Sequence, residues 1–191
     1  MRVFGIDPGS ERTGYGCVET DGSRHRIVTC GAITTAAAAA FPQKLLAIHS
    51  RLAALLTECA ADCVAIENLF HAANVRSALK LGHARGVAML AAVEAGLPVS
   101  EYTPAEIKRA VVGYGRAEKP QVQQMVKLML GLQEVPTPGI AVSRAMSACS
   151  MARNSSSGSM PDSTASATLG PMPLTPISRS KRSCSRAVKN P

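Results

Sequence analysis

The sequence predicts an α/β fold in which helices cover the faces of a mixed β-sheet. Three short apolar segments separated by turn residues come first, and helical patterns then alternate with two more strand-like runs. This order gives three antiparallel strands followed by parallel strands. The 191 residues, 46% of them hydrophobic, suffice for one domain with its own core.

The predicted strands are short apolar runs that end at turn residues. Asp7-Pro8-Gly9 closes the first run, and Asp21-Gly22 is a hairpin signal between the second and third. The first three strands are therefore expected to be consecutive and antiparallel. The five runs cover residues 2–6, 14–19, 27–33, 63–66 and 99–102.

Helices are predicted where apolar residues recur at three- and four-residue spacing. Thr103, Pro104 and Glu106 form a helix start, with a capping threonine, proline in the first turn and a glutamate three residues after the cap. Gly113 ends that helix. The other helical patterns cover residues 41–59, 72–95 and 119–130.

Charge is distributed unevenly along the chain. The formal net charge is +8, but residues 1–138 hold 14 Lys+Arg against 12 Asp+Glu, whereas residues 139–191 hold 7 against 1. The net charge of the whole chain is therefore no evidence that residues 1–138 bind an anionic partner. Residues 143–191 contain 13 Ser and show no apolar periodicity, which is typical of disorder. The predicted domains are a core at 1–138 and a disordered tail at 139–191.

The cysteine and hydropathy patterns exclude several classes of protein. None of the six cysteines forms a C-x-x-C pair, so a zinc site is not expected. No apolar run reaches membrane-spanning length, and a strand pattern follows Met1 directly, so we expect no leader segment. We expect a reduced, cytoplasmic protein with no membrane partner.

Two carboxylates, Asp7 and Glu67, stand where strand patterns end. Taken alone, Asp7 fits a simple turn better than a site, whereas Glu67 fits a structural ion pair and a site equally well. Together they favour a Mg²⁺ site, since Mg²⁺ binds few carboxylates and leaves room for phosphate. Phosphodiester hydrolysis by two metal ions requires three or four carboxylates as ligands. Glu94, Glu101, Glu106 and Glu118 are expected on solvated faces instead.

Four segments, in this order, resemble the RuvC-type Holliday junction resolvases. They are GIDPGS at 5–10 with TGYG at 13–16, AIENLF at 65–70, SALKLGHARG at 77–86, and a basic stretch with YTP at 102–104, VVGYG at 111–115 and AEK at 117–119. Residues 2–138 carry this resemblance.

The resemblance implies an RNase H-like fold, a homodimer, four-way junction DNA as substrate and a branch-migration helicase complex as a further partner. It implies Mg²⁺-dependent cutting in DNA recombination and repair, with two ions per intact site. It makes Asp7 and Glu67 the catalytic metal ligands. The DNA-binding residues it implies are a base-stacking Phe70, two lysines, Lys108 and Lys119, and the weaker phosphate contacts Arg76, Lys80 and Arg85.

The small residues of the long helix also suit a dimer, unless they simply pack on their own sheet. These residues are Gly82, Ala84, Gly86, Ala88, Ala91 and Ala92.

The resemblance breaks after Pro138. The family continues into a helix that carries an acid or His and then an Asp one turn later, whereas residues 139–145 read GIAVSRA. We therefore predict that the final helix is missing, that apolar sheet surface is exposed and that cleavage is weak or absent.

Three other readings stay open. The first is a junction-binding protein that has lost cutting, which the missing ligands favour. A fragment of an actin/Hsp70-type ATPase would share the first strand and turn, but needs a second phosphate loop and a longer chain. A shorter resolvase family shares a related first motif, but the Glu67 segment and the Gly113–Gly115 stretch argue against it.

The abrupt change at one position indicates a shifted reading frame or a misjoined gene. We expect resequencing across codons 136–145 to reveal the shift. A continuous frame in independent clones would contradict this hypothesis.

Overall fold

Among the described residues of the computed structural model, five strands form one mixed sheet in the order β3-β2-β1-β4-β5. The structure describes residues 1–68, 74–135 and 139–155. Strands β1, β2 and β3 are antiparallel, while β4 and β5 continue the sheet in parallel from β1. This arrangement confirms the predicted fold class. The strands are β1 (Arg2–Asp7), β2 (Arg12–Thr20), β3 (His25–Thr34), β4 (Cys63–Glu67) and β5 (Val99–Tyr102).

In the described part of the chain, five helices flank the sheet: α1 (Phe41–Glu58), α2 (Val75–Glu94), α3 (Pro104–Val112), α4 (Lys119–Met129) and α5 (Gly139–Ser155). The start of α3 is the predicted capping box, in which the Thr103 side chain accepts from the Glu106 N–H and Glu106 accepts from the Thr103 N–H. Gly113 ends α3 in the left-handed region, at φ 93°. Local sequence chemistry therefore fixes the path of the chain from β5 into α3.

The prediction that the last helix is missing is wrong. Helix α5 lies entirely after residue 138, where the folded core was predicted to end, and residues 141–149 are all buried. This stretch lacks acids but keeps small and apolar side chains, which suffice for packing against the sheet. The sheet face that was expected to be exposed is therefore covered. Residues 156–191, for which disorder is predicted, lie outside the described residues.

The sheet separates two hydrophobic clusters. Phe4 and Ile6 of β1 pack on one side with residues of α1 and α2, such as Leu52. Val3 packs on the other side with residues of α3, α4 and α5, such as Val126. Because side chains alternate along a strand, the odd-numbered residues of β1 face α5.

Helix α5 approaches the central strands closely at two glycines. A Cβ at Gly5 would collide with the Ala141 carbonyl oxygen and lie 2.7 Å from the Ala145 nitrogen. A Cβ at Gly16 would lie 2.8 Å from Val142 Cγ2. Glycine on neighbouring strands therefore lets the α5 backbone sit directly on the sheet.

Within the described ranges, no helix has both the length and the apolar character required to cross a membrane.

Candidate functional site

Asp7 and Glu67 lie side by side because their strands are parallel and in register. Ile6 of β1 pairs with Ile66 of β4, and each carboxylate is the next residue along its strand. Alternation places Asp7 on the same face as Val3 and Gly5, toward α5. The last residue of each central strand therefore points to one shared place at the edge of the sheet.

An arginine of α5, Arg144, fills the position between the two carboxylates. Its Nη2 lies 2.8 Å from Asp7 Oδ1 and also donates to Glu67 Oε2. The Arg144 side chain is 1% exposed, against 12% for Glu67 and 31% for Asp7. The guanidinium is thus the internal counter-ion of both acids.

Burial lowers the pKa of the Arg144 guanidinium, and the charge of Asp7 opposes this shift. An arginine starts so far above neutrality that it stays charged. Its Nε and Nη1 are buried and have no hydrogen-bond partner within the described residues. Nη2 therefore makes both carboxylate contacts, while the rest of the fork is unsatisfied.

A pocket of about 270 Å³ opens beside this ion cluster. Lys108 of α3 and Lys119 of α4 line it together with Asp7, Glu67 and Arg144. The structure thus brings four of the predicted site residues together and adds one that was not predicted. The remaining lining residues are Pro104, Ile107, Val122, Gln123 and Ser143.

The other predicted DNA-binding residues lie outside this pocket lining. Arg76 and Lys80 are exposed on α2. Arg85 is partly buried and donates to Glu101 of β5, so its guanidinium is engaged within the protein. Phe70, predicted to stack on a base, lies outside the described residues.

The described residues do not form a divalent-metal site. Within residues 1–68, 74–135 and 139–155, no group of three or more His, Cys, Asp or Glu side chains could hold a metal ion. The two carboxylates that are present already bind a cation, Arg144. A Mg²⁺ ion at this place would have to displace a buried guanidinium, so the donor set does not fit the ion.

Arg144 was missed although the sequence contains a signal for it. Ala141, Ala145 and Ala148 recur at helical spacing, and Arg144 falls on the same stripe. A stripe of small residues predicts the helix face that packs closely on the sheet. A cation on that face is therefore expected to lie near the acids at the strand ends.

The comparisons agree with this fold. A family model described as crossover junction endodeoxyribonuclease RuvC matches residues 3–150, which is beyond the expected end of the resemblance at Pro138. The RuvC protein of Syntrophotalea carbinolica is 51% identical over 149 residues, covering 78% of this chain and 92% of that protein. That of Trichlorobacter lovleyi is 52% identical over 149 residues, covering 78% and 84%.

Solved structures show the same similarity. Thermus thermophilus RuvC in complex with a Holliday junction substrate superposes with a TM-score of 0.77 at 34% identity, covering 81% of this chain and 96% of that chain. The yeast mitochondrial resolvase Ydc2, at 14% identity and a TM-score of 0.56, shares the fold. The fold is thus that of the resolvase class. The chain belongs to the RuvC family of crossover junction endodeoxyribonucleases.

Replacing Arg144 should destabilise the fold. In Arg144→Met, Asp7 and Glu67 face each other without a counter-ion, and we expect a loss of about 2 kcal/mol in the free energy of unfolding, less than for a fully buried pair because Asp7 is partly exposed. Urea unfolding measures this change. The control is Arg51→Met, since Arg51 pairs with Glu58 on the surface of α1; its effect should stay below about 0.5 kcal/mol. Equal losses in both variants would contradict the prediction.

Proposed function

We propose that this chain recognises four-way DNA junctions and acts at the junction-resolution step of recombination and repair. The observation that carries the proposal is the family match over residues 3–150. The solved complex of the Thermus thermophilus relative with a Holliday junction supports the choice of substrate. The pocket that joins Asp7 and Glu67 with Lys108 and Lys119 is where we expect a junction phosphate to bind.

The family reaction is hydrolysis of a DNA phosphodiester, and the resemblance implies Mg²⁺ for it, with Asp7 and Glu67 as ligands. The donor set of this chain does not fit that ion, because Arg144 holds both carboxylates. We therefore propose that the chain binds junctions and cuts them weakly or not at all. This observation favours the alternative of a catalytically impaired junction-binding protein.

Lys108 and Lys119 are the strongest candidates for contacts with the DNA backbone. Lys119 is exposed, Lys108 is partly so, and both line the pocket from different helices. Lysine recognises phosphate as a flexible point charge, which positions a duplex without reading its sequence. Arg76 and Lys80 are weaker candidates on α2, and Arg85 is weaker still because of its ion pair with Glu101.

The surface of α2 supports the proposed homodimer. Ala84, Ala88, Ala91 and Ala92 are fully buried, so this part of the small-residue pattern packs within the chain. Gly82 and Gly86 instead line an open groove of about 510 Å³ together with Leu79 and Leu90, which are 59% and 51% exposed. Exposed apolar surface beside glycines is suited to close approach by a second copy. The branch-migration helicase complex stays a prediction from the resemblance, and the cytoplasmic location stays a prediction from the cysteine and hydropathy patterns.

Junction binding without cutting is the expected result for the purified chain. In a binding assay at fixed ionic strength, we expect tighter binding to a four-way junction than to a linear duplex of the same sequence. Lys119→Ala should weaken binding to the junction and reduce the dependence of log affinity on log salt by about 1, as for the loss of one phosphate contact. With Mg²⁺ added, we expect little or no nicking on a denaturing gel. Equal affinity for both DNAs would overturn junction recognition, and strong symmetric nicking would overturn the loss of cutting.

A charge in the α2 groove should break the dimer. Leu90→Glu places a carboxylate within the apolar groove, so we expect light scattering after size exclusion to report a monomer where the unchanged chain is a dimer. The matched control is Leu128→Glu, which changes a 73% exposed leucine on α4 outside the groove and should leave the mass unchanged. The same mass for all three proteins would contradict the use of this groove.

A further inference from the structure

We propose that the pocket beside Asp7 and Glu67 is a phosphate-binding site in which the Arg144 guanidinium takes the place of a divalent cation. The ligand is a phosphate group. If the proposed function holds, on which this part of the inference rests, that group is a backbone phosphate of junction DNA. The site would thereby bind an anion directly where the intact family site holds metal ions.

The charges around the pocket favour an anion over a metal. Three cationic side chains and two carboxylates line it. Both carboxylates are already paired with Arg144, whereas Lys108 and Lys119 form no ion pair among the described residues. A divalent cation would meet an excess of positive charge here. A phosphate would meet two lysines beside a carboxylate pair whose charge Arg144 offsets in part, so positive charge prevails by one across the pocket.

The Arg144 side chain offers the donors that such a ligand needs. Nε and Nη1 are buried and have no hydrogen-bond acceptor within the described part of the chain. The Arg144 side chain is only 1% exposed, yet it lines the pocket. A buried donor without an acceptor is costly, so native proteins seldom leave one unmatched. Each of these charged N–H donors can bind one phosphate oxygen in a short, strong hydrogen bond. Phosphate oxygens entering from the pocket would satisfy these donors.

Thermal unfolding of the full chain tests the site without DNA. At matched pH and ionic strength, sodium phosphate should raise the Tm above its value in sodium chloride by about 2–4 °C, because a ligand of the folded state stabilises it. Arg144→Met should lose this shift. Arg144→Lys, which keeps the charge but loses the fork, should retain part of it and carries the test if the methionine variant does not fold. Mg²⁺ should leave the Tm of the unchanged chain where it is.

The control variant is Arg51→Met on α1, which should show the full phosphate shift. A phosphate shift of the same size in Arg144→Met and Arg144→Lys as in the unchanged chain would mean an adventitious ion only and overturn the proposal. Stabilisation of the unchanged chain by Mg²⁺ rather than by phosphate would overturn it as well.

A second measurement links the site to DNA. Junctions that each carry one neutral methylphosphonate near the crossover should include one that the unchanged chain binds about tenfold more weakly. Arg144→Met should bind the unmodified junction more weakly and no longer respond to that linkage, since the two changes remove the same contact. A response that persists in Arg144→Met would overturn the proposal but leave junction recognition intact. A chain that binds phosphate through Arg144 without preferring junctions would overturn the proposed function alone.

Discussion

The contact of Arg144 with Asp7 and Glu67 is the interaction on which the rest of the structure depends. Desolvating three charged groups is unfavourable, and their mutual attraction offsets this cost only when the geometry is good and no charge is left alone. One guanidinium here joins the last described helix to both central strands. The same contact that joins α5 to the sheet also occupies the carboxylate pair, so another cation could bind there only by displacing Arg144.

The sheet and the first four helices could be predicted because their signals are local. The hairpin at Asp21-Gly22 and the capping box of Thr103 and Glu106 involve residues close in sequence, and the structure has both. The placement of Asp7 beside Glu67 required a parallel register, which the order of strand and helix patterns implied. The resemblance then related that pair to a nuclease site.

The last helix and its arginine could not be predicted in the same way. The serine-rich composition of residues 139–191 hides the short stripe of alanines within it, and a lone arginine on that stripe shows no local partner in the sequence. Small residues of α2 were ambiguous for a related reason. Spacing alone does not say whether Ala88 or Gly86 faces the sheet, and only the packed structure separates them. The ion pair of Arg85 with Glu101 likewise depends on tertiary placement.

The close seating of α5 on Gly5 and Gly16 also bears on the order of folding. Arg144 and Glu67 are 77 residues apart, whereas the β1–β2–β3 hairpins form from neighbouring segments. Contacts between distant segments form late, because closing a long loop costs conformational entropy before any stabilising contact is made. A chain emerging from the ribosome therefore presents its two strand-end acids open to solvent and ions until α5 has been synthesised and docks.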